Sequence, residues 1–375
     1  MQPNDVIDNA RRIVIKIGSA LLTDEKTGTV KSEWLQSVAQ DVSVLVQQGK
    51  QVAIVSSGAI ALGRKSLGIS YSDRPTAIAL DMKQAAASVG QVLMSQAYAD
   101  AFKSLNITTS LVLLTPRDTE DRRSHLNARA TLETLLAHKI VPIINENDTV
   151  STSEIRFGDN DRLAARVAQM IGADLLIQLS TTDGLYTADP RKDADAGHIP
   201  LVEVLTDDIT AMAGDALPGL STGGMKSKLE AARICLGAGV HMMIAKGTKS
   251  HPLSSLSQAT IFKAGTQPGN ARKRWIQGHV KPCGEIVIDD GAVKALQSGK
   301  SLLPAGVTDV KGNFDRGDAV NILNASGKAL AVGLIAFSAT DTRKIKGRQS
   351  AEIPEILGYS GRSELIHRDD LALQE

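Results

Sequence analysis

Short apolar runs alternate with amphipathic stretches along the first two thirds of the chain. Six runs are rich in Ile, Val and Leu and are predicted as strands: Ile13–Ile17, Val52–Val55, Leu111–Leu114, Val141–Ile144, Leu175–Leu179 and Met242–Ala245. Near-continuous apolar strands of this kind are typical of parallel sheets that are buried on both faces. The alternation of strand and helix therefore predicts an α/β domain with a mostly parallel sheet and right-handed crossovers.

Two helices of this domain can be bounded from the sequence. Apolar residues recur at helical spacing over residues 35–45, where Ser32 is predicted to cap the helix and Gly49 to end it. A second helix is predicted over Asn160–Ile171, and Gly172 ends it. Both helices connect consecutive predicted strands, as crossovers in a parallel sheet do.

The pattern changes after about residue 247. Ser, Gly, Pro, Lys and Arg accumulate over residues 248–277, which predicts a linker or a domain-edge segment. Short alternating runs separated by Gly, Asp and Asn then predict a small β-rich module. We therefore predict two domains, over residues 10–260 and 278–359. The charged tail from Gly361 is predicted to be poorly ordered.

Composition narrows the classes of function. The chain has 375 residues, of which 42% are hydrophobic and 22% charged, as in ordinary globular proteins. Lys+Arg 42 against Asp+Glu 41 give a net charge of +1, so composition offers no electrostatic case for nucleic acid or membrane as the main partner. Cys235 and Cys283 are too few for a disulfide framework. Because no signal-peptide h-region or transmembrane run is found, we predict a cytoplasmic location.

Polar and glycine signals follow several of the predicted strands, and ligands of open parallel sheets bind at that edge. Lys16 ends the first strand beside Gly18, where it could reach a phosphate or simply extend to solvent. Ser57 follows the second strand, where it could bind an anion or cap a helix. Single residues such as these do not decide between the two interpretations.

Two polar clusters flank one short connection later in the chain. Residues 145–148 read NEND and residues 158–161 read GDND. Acidic and amide groups in such clusters could hold an ammonium group, orient lysines or lie near Mg²⁺, and the alternative is an Asx turn with a helix cap. The segment after the fifth strand, Ser180–Tyr186, could surround a nucleotide or be a turn-rich connection.

The stretch STGGMKSK, at residues 221–228, combines glycines with two lysines. Exposed backbone N–H groups and mobile positive charge suit a phosphate. Met225 stands where a Walker A lysine would follow the glycine, so the P-loop pattern fails by one residue. A flexible solvated loop is the alternative. HExxH, GxSxG and paired CxxC motifs do not occur, so zinc hydrolase and serine esterase chemistry have no support.

The ordered series of these motifs resembles the amino acid kinase family, and within it the branch that phosphorylates L-glutamate. The resemblance runs from about Arg12 to Gly247 and rests on RRIVIKIGSALL, AIVSSGAIALG, PIINENDTV, RFGDNDRLAA, DGLYTADPR and LSTGGMKSK. GNFDRGDAVNILNASGKALAVGLIAFSA resembles a PUA domain. The implied fold is an αβα sandwich with a mostly parallel central sheet, followed by a small β-rich PUA-like domain.

The resemblance implies ATP-dependent phosphorylation of the side-chain carboxylate of L-glutamate, with Mg²⁺ carried on ATP, as the first step of proline synthesis. It also implies feedback inhibition by proline and a homo-oligomer, either a dimer or a tetramer. Lys16, Lys228 and Asp161 would be catalytic, with the lysines on the transferred phosphoryl group and Asp161 orienting them. No residue is predicted to ligate a metal directly.

The remaining roles follow from the same resemblance. Ser57, Asp148 and Asn160 would bind glutamate, with Asp148 as a partner for its ammonium group. The nucleotide would lie against a larger set of residues: Lys16, Ser180, Thr181, Thr222, Gly223, Gly224, Met225, Lys226, Ser227 and Lys228. Many relatives have an aspartate where Thr181 stands, so a carboxylate contact to the nucleotide is in doubt. The role of Lys226 is not assigned.

Two alternatives remain open. Another amino acid kinase would phosphorylate aspartate, acetylglutamate or UMP, but the start KIGS and the PUA-like segment argue against aspartate. An RNA-binding protein would use basic residues of the C-terminal part: Arg272, Lys273, Arg274, Lys281, Arg343, Lys344, Lys346 and Arg348. Because aromatic residues for base stacking are sparse, RNA binding is the less favoured prediction.

Overall fold

The computed structural model describes residues 1–24, 27–70, 78–151, 160–213, 224–279 and 281–374. The chain divides into two compact units, Met1–Pro268 and Gly269–Glu375. The predicted domain limits stay predictions, because a domain is defined by independent folding as well as by compactness. Among the described residues, no helix is both long enough and apolar enough to cross a membrane.

The first unit contains ten strands and ten α-helices in its described part. The strands are β1 (Arg12–Ile17), β2 (Gln51–Ser56), β3 (Thr109–Leu114), β4 (Val141–Glu146), β5 (Leu175–Ser180), β6 (Leu185–Tyr186), β7 (His198–Ile199), β8 (Leu201–Val202), β9 (His241–Lys246) and β10 (Ala259–Phe262). The helices are α1 (Pro3–Asn9), α2 (Ser19–Leu22), α3 (Ser32–Gln47), α4 (Ala59–Arg64), α5 (Leu80–Lys103), α6 (Pro116–Glu120), α7 (Arg122–Ala137), α8 (Asn160–Ile171), α9 (Asp207–Ala211) and α10 (Met225–Gly237).

Eight of these strands form one sheet in the order β3-β4-β2-β1-β5-β9-β10-β8. The six strands from β3 to β9 in that order run parallel, while β10 is antiparallel to β9. All six predicted strands are confirmed, each one or two residues longer than predicted at one or both ends. The sheet is therefore mostly parallel, as the apolar runs predicted.

Helices cover both faces of the sheet, and side chains alternate between two cores. Ile13, Ile15 and Ile17 of β1 pack with residues of α3 and α5. Val14 packs on the other face, with residues of α7, α8 and α10. Since successive side chains of a strand point to opposite faces, Lys16 shares the face of Val14 and lies on the side of α8 and α10. The predicted αβα sandwich is confirmed.

Both predicted helices, α3 and α8, are confirmed, but the residue predicted to cap α3 is wrong. Helix α8 begins and ends as predicted, and Gly172 follows it with φ +61°. Gly49, with φ +82°, follows the end of α3. Ser32 does not cap α3, because the helix already includes it and its hydroxyl donates to the Val30 carbonyl at 3.4 Å.

The second unit has a five-stranded sheet in the order β12-β11-β13-β14-β15. Its helices are α11 (Pro268–His279), which begins at the boundary between the units, α12 (Asp290–Gln297), α13 (Ala339–Ile345) and α14 (Ile353–Leu357). Its strands are β11 (Gly284–Ile288), β12 (Val307–Gly312), β13 (Ala319–Leu323), β14 (Ala329–Leu334) and β15 (Leu371–Leu373). This sheet confirms the predicted β-rich module.

Two predictions near the end of the chain need correction, one in part and one entirely. Residues 248–277, predicted as a linker or a domain-edge segment, are not an unstructured linker, since they contribute β10 to the large sheet and most of α11, but they do contain the boundary between the two units. The tail from Gly361, predicted to be poorly ordered, contributes β15, which pairs with β14. Leu365 and Ile366 of the tail are buried in the core of the second unit. Both segments contain many charged or polar residues, but their apolar residues pair into a sheet or are buried in a core.

Candidate active site

One buried carboxylate lies between two buried lysines at the edge of the large sheet. Asp161 is fully buried, and Lys16 and Lys228 are each 6% exposed. Lys228 Nζ lies 2.7 Å from Asp161 Oδ2, and the ammonium group of Lys16 contacts Asp161 Oδ1. Each carboxylate oxygen therefore holds one ammonium group. Two positive charges face one negative charge, so the cluster has a net charge of +1 and suits an anion.

Three different elements bring these side chains together. Lys16 is the penultimate residue of β1, Asp161 is the second residue of α8, and Lys228 lies in the first turn of α10. Both helices begin at the edge where the parallel strands end, and both pack on the face to which Lys16 points. This is the edge at which ligands of open α/β sheets bind.

The charges around Asp161 determine its ionisation. Burial alone would raise the pKa of this carboxyl, because removal from water disfavours the charged form. The nearby charges of Lys16 and Lys228, and the hydrogen bonds that they donate, outweigh burial and lower the pKa of Asp161 below its usual range. Asp161 is therefore a carboxylate at neutral pH, occupied by the two lysines.

The beginning of α10 adds further donors. Gly224 precedes the helix, and among the described residues no side chain caps the N–H groups of its first turn. The Ser227 hydroxyl lies 3.0 Å from Asp161 Oδ2 and 2.9 Å from the Gly224 carbonyl oxygen. Uncapped N–H groups at a helix N-terminus favour a phosphate.

The structure describes the motif STGGMKSK only from Gly224 onward. Its first three residues, including Thr222 and Gly223, lie outside the described residues, and the rest opens α10. Lys226 is exposed while Lys228 is buried against Asp161. The structure thus brings Lys228 to the charged cluster and leaves Lys226 at the surface.

A second polar group lies beside the first, at the ends of β2 and β4. Asn160 directly precedes Asp161, and its Nδ2 lies 2.6 Å from the Ser56 carbonyl oxygen and 2.6 Å from Asn145 Oδ1. Asn145 Oδ1 also accepts a bond from the Glu146 N–H at 2.8 Å. Asn160 therefore joins α8 to the ends of two strands.

The predicted glutamate residues Ser57 and Asp148 lie at the same strand ends. Ser57 follows β2, is half-buried, and its N–H donates to the Ile17 carbonyl at 3.0 Å. Gly58 follows with φ +116°, a conformation that favours glycine, and α4 begins at Ala59. Asp148 lies half-buried in the turn after β4.

The predicted nucleotide residues Ser180 and Thr181 lie at the end of β5. Ser180 is the last residue of the strand, and its carbonyl accepts from the Gly247 N–H at 2.8 Å. The N–H of Thr182 lies 3.4 Å from Ser180 Oγ, while Thr181 is exposed. Both residues are on the sheet edge that carries Lys16, since β5 and β1 pair in parallel.

Three residues of this region had no assigned role in the sequence. Asn145 and Ser56 stand inside the NEND and SSG motifs, whose polar composition is their only signal. Tyr98 is fully buried in α5, and its hydroxyl lies 2.9 Å from Ser56 Oγ. A tyrosine in the middle of a long helix gives no sequence signal for such a contact.

A model of the amino acid kinase family matches residues 11–246, well over half of the chain. The chain belongs to the amino acid kinase family. A model of the PUA domain matches residues 284–357. Both resemblances predicted from the motifs are confirmed.

Curated members of this family are similar over nearly the whole chain. The protein named glutamate 5-kinase from Brucella ovis is 55% identical over 367 residues, covering 97% of this chain and 96% of that protein. The glutamate 5-kinase of Brucella anthropi is 54% identical over 371 residues, covering 98% and 97%. Within the amino acid kinase family, the chain therefore belongs with the glutamate 5-kinases.

The chain is also similar to solved structures, at much lower sequence identity. The crystal structure of UMP kinase from Ureaplasma parvum has a TM-score of 0.47 and 15% sequence identity, covering 68% of this chain and 98% of that one.

As in other kinases, a divalent cation would accompany the nucleotide. Among the described residues, no group of three or more His, Cys, Asp and Glu side chains could hold a metal ion. The carboxylate of the charged cluster, Asp161, is bound by two ammonium groups.

Four of the eight basic residues predicted for RNA binding lie within 4 Å of a carboxylate. Nitrogen–oxygen distances are 3.8 Å for Lys344–Asp341, 3.7 Å for Lys346–Asp309 and 3.9 Å for Arg348–Glu352. Arg272 donates to Asp370 at 2.9 Å. This pairing offsets local positive charge, and RNA binding stays the less favoured prediction.

Proposed function

We propose that this chain transfers the γ-phosphoryl group of ATP to the side-chain carboxylate of L-glutamate, which gives L-glutamyl 5-phosphate and ADP. The observation that carries this proposal is the buried cluster of Lys16, Asp161 and Lys228, whose net positive charge lies at the ligand-binding edge of the sheet. The chain's similarity to glutamate 5-kinases supports L-glutamate as the acceptor.

The acceptor itself explains why no general base is needed. A glutamate side chain has a pKa of about 4.3 and is ionised at neutral pH. One carboxylate oxygen forms the new bond to phosphorus, the bond from phosphorus to the β–γ bridging oxygen breaks, and ADP takes that electron pair. No proton has to leave the nucleophile. Asp161, held by two ammonium groups, is therefore proposed as an orienting residue and not as a base.

The two lysines supply positive charge that can stabilise the transition state of phosphoryl transfer. Negative charge spreads over the equatorial oxygens and the leaving oxygen in the transition state, and preorganised cations stabilise it. Lys16 and Lys228 approach Asp161 from β1 and α10, and can flank the transferred group from two sides. Because both side chains are buried, little solvent screens their charges.

The two substrates are proposed to occupy neighbouring positions along the sheet edge. ATP with Mg²⁺ would lie near Ser180, Thr181 and the start of α10, while glutamate would lie near Ser57, Asp148 and Asn160. Asn160, of the proposed glutamate site, and Asp161, of the lysine cluster, are adjacent in α8. This adjacency would bring the acceptor carboxylate next to the lysine cluster.

Three further properties belong to the same proposal. The reaction would be the first step of proline biosynthesis in the cytoplasm, and proline would inhibit it by feedback. The active enzyme would be a homo-oligomer, either a dimer or a tetramer.

A coupled assay of ADP release tests the proposed acceptor. L-Glutamate, L-aspartate, N-acetyl-L-glutamate and UMP are compared at equal concentrations, each with and without proline. We expect release to depend on L-glutamate and to fall when proline is added. Preference for L-aspartate, N-acetyl-L-glutamate or UMP would contradict the proposal.

A further inference from the structure

The side-chain amide of Asn160 is held in one orientation by two neighbours. Its Nδ2 lies 2.6 Å from the Ser56 carbonyl oxygen and 2.6 Å from Asn145 Oδ1. A backbone carbonyl can only accept a hydrogen bond, so the group that faces it must be the NH₂ of Asn160. The opposite orientation would place two oxygen atoms at contact distance inside a buried site.

The orientation of Asn145 is fixed in the same way. Its Oδ1 accepts a bond of 2.8 Å from the Glu146 N–H, which can only donate. The atom of Asn145 that faces Asn160 is therefore an oxygen, and the second proton of the Asn160 amide is bound as well. Both amide protons of Asn160 are used within the protein.

The polar atom of the Asn160 side chain that a ligand can still contact is its oxygen, which is a hydrogen-bond acceptor. The Asn160 side-chain oxygen has no hydrogen-bond partner among the described residues, although the residue is only 7% exposed. At neutral pH, L-glutamate has two carboxylates, which only accept, and one ammonium group, which donates. The amide oxygen of Asn160 can therefore pair with the ammonium group and cannot pair with either carboxylate.

Tyr98 contacts Ser56, which is one of the two hydrogen-bond partners of Asn160. Its ring and hydroxyl are fully buried, and the hydroxyl lies 2.9 Å from Ser56 Oγ. A buried phenol is stable only with such a partner, since an unmade hydrogen bond leaves its desolvation uncompensated. The contact ties α5 to Ser56, the residue whose carbonyl accepts from Asn160. Tyr98 thus acts on Asn160 through Ser56.

We propose that Asn145 and Tyr98 are positioning residues that keep the Asn160 amide oxygen toward the substrate, so that the site selects a free α-ammonium group. The inference rests on the proposed function, because it takes glutamate as the ligand of Asn160. It predicts discrimination against glutarate, which has no ammonium group, and against N-acetyl-L-glutamate, whose nitrogen is uncharged.

Two variants remove one contact each. Tyr98→Phe deletes only the hydroxyl, and we expect the KM for L-glutamate to rise about threefold to tenfold, as for one hydrogen bond. Asn145→Leu frees the Asn160 amide, and we expect a rise of about tenfold to a hundredfold. Both variants should keep kcat and the KM for ATP within about twofold of the native values. Asn145→Asp keeps an acceptor at the same place and should restore most of the lost affinity.

Glutarate separates a positioning role from a merely structural one. It is tested as a competitive inhibitor against L-glutamate in the native enzyme and in each variant. We expect the KM for L-glutamate to rise while the inhibition constant of glutarate stays unchanged, because glutarate never contacts the amide oxygen. General distortion of the site would instead weaken both ligands by the same factor.

A matched control and two outcomes complete the test. Tyr359→Phe deletes a tyrosine hydroxyl that donates to Asp341 at 3.0 Å in the second unit, and it should change no kinetic constant. Absence of glutamate-dependent ADP release from the native protein would overturn the proposed function together with this inference. Normal native activity with an unchanged KM in Asn145→Leu, or with equal weakening of glutarate, would overturn the inference alone.

Discussion

Lys228 donates a hydrogen bond of 2.7 Å to Asp161, from the first turn of α10 to the first turn of α8. Lys16 contacts the other oxygen of the same carboxylate from β1. One side chain thus links a central strand to two helices, and it is fully buried. Loss of its charge would leave two buried ammonium groups with no carboxylate between them.

Asp161→Asn should therefore destabilise the fold as well as impair catalysis. Removing one partner of a buried ion pair costs about 3 to 5 kcal/mol. We expect the free energy of unfolding in denaturant to fall by this amount. Asp195→Asn, at an exposed position, is the matched control and should leave that free energy nearly unchanged. An unchanged value for Asp161→Asn would mean that the lysines find other partners.

The stability of the protein should depend on pH through the ionisation of Asp161. Because folding lowers the pKa of Asp161, its stabilising contribution is fully present above the unfolded value of about 3.9. That contribution is lost as the pH falls through the lower, folded value. Measured below about pH 4, the native protein should lose stability more steeply than Asp161→Asn. Parallel curves for the two proteins would contradict the lowered pKa.

Asp148→Ala should act mainly on glutamate binding. Its carboxylate lies half-buried in the turn after β4, beside the end of β2 that carries Ser57. A lost charge-assisted bond to the ammonium group should raise the KM for L-glutamate about tenfold or more, with a smaller change in kcat. Asp195→Ala serves as the control. An unaltered KM would make Asp148 a turn residue only.

Gln178→Met should stabilise the protein. Gln178 lies on β5 opposite Lys16 of β1, and both polar atoms of its amide are buried without a hydrogen-bond partner among the described residues. Methionine has a similar length and leaves no polar group unpaired, so we expect a gain of about 1 to 3 kcal/mol. Thermal unfolding measures this, with Gln96→Met at an exposed position as the control. A lower unfolding temperature would show that the amide is hydrogen-bonded in solution.

The sequence predicted the central sheet well, because its strands are buried on both faces. Runs such as Leu175–Leu179 need no tertiary information to be recognised. Strand β10, by contrast, lies between β9 and the edge strand β8 of the large sheet, antiparallel to β9, in a segment rich in Ser, Gly, Pro and Lys. Its place depends on pairing with β9, and no local pattern encodes that pairing.

Sequence patterns located the candidate site only in pieces. Lys16 stood at the end of an apolar strand, and Asp161 and Lys228 stood in polar motifs; the family resemblance joined the three into one cluster. The role of Tyr98 could not be predicted, because an aromatic residue in a helix usually serves the core. Its contact with Ser56 depends on how α5 packs across the sheet, which the sequence does not show.

The most direct test of the account is the turnover of Lys228→Ala with saturating ATP and L-glutamate. Removing one preorganised charge from the transferred phosphoryl group should lower kcat on the order of 10²- to 10³-fold, with a much smaller effect on the KM for glutamate. Lys103→Ala, at an exposed end of α5, is the matched control and should keep native turnover. Native kcat in Lys228→Ala would remove Lys228 from the site and contradict the proposed mechanism.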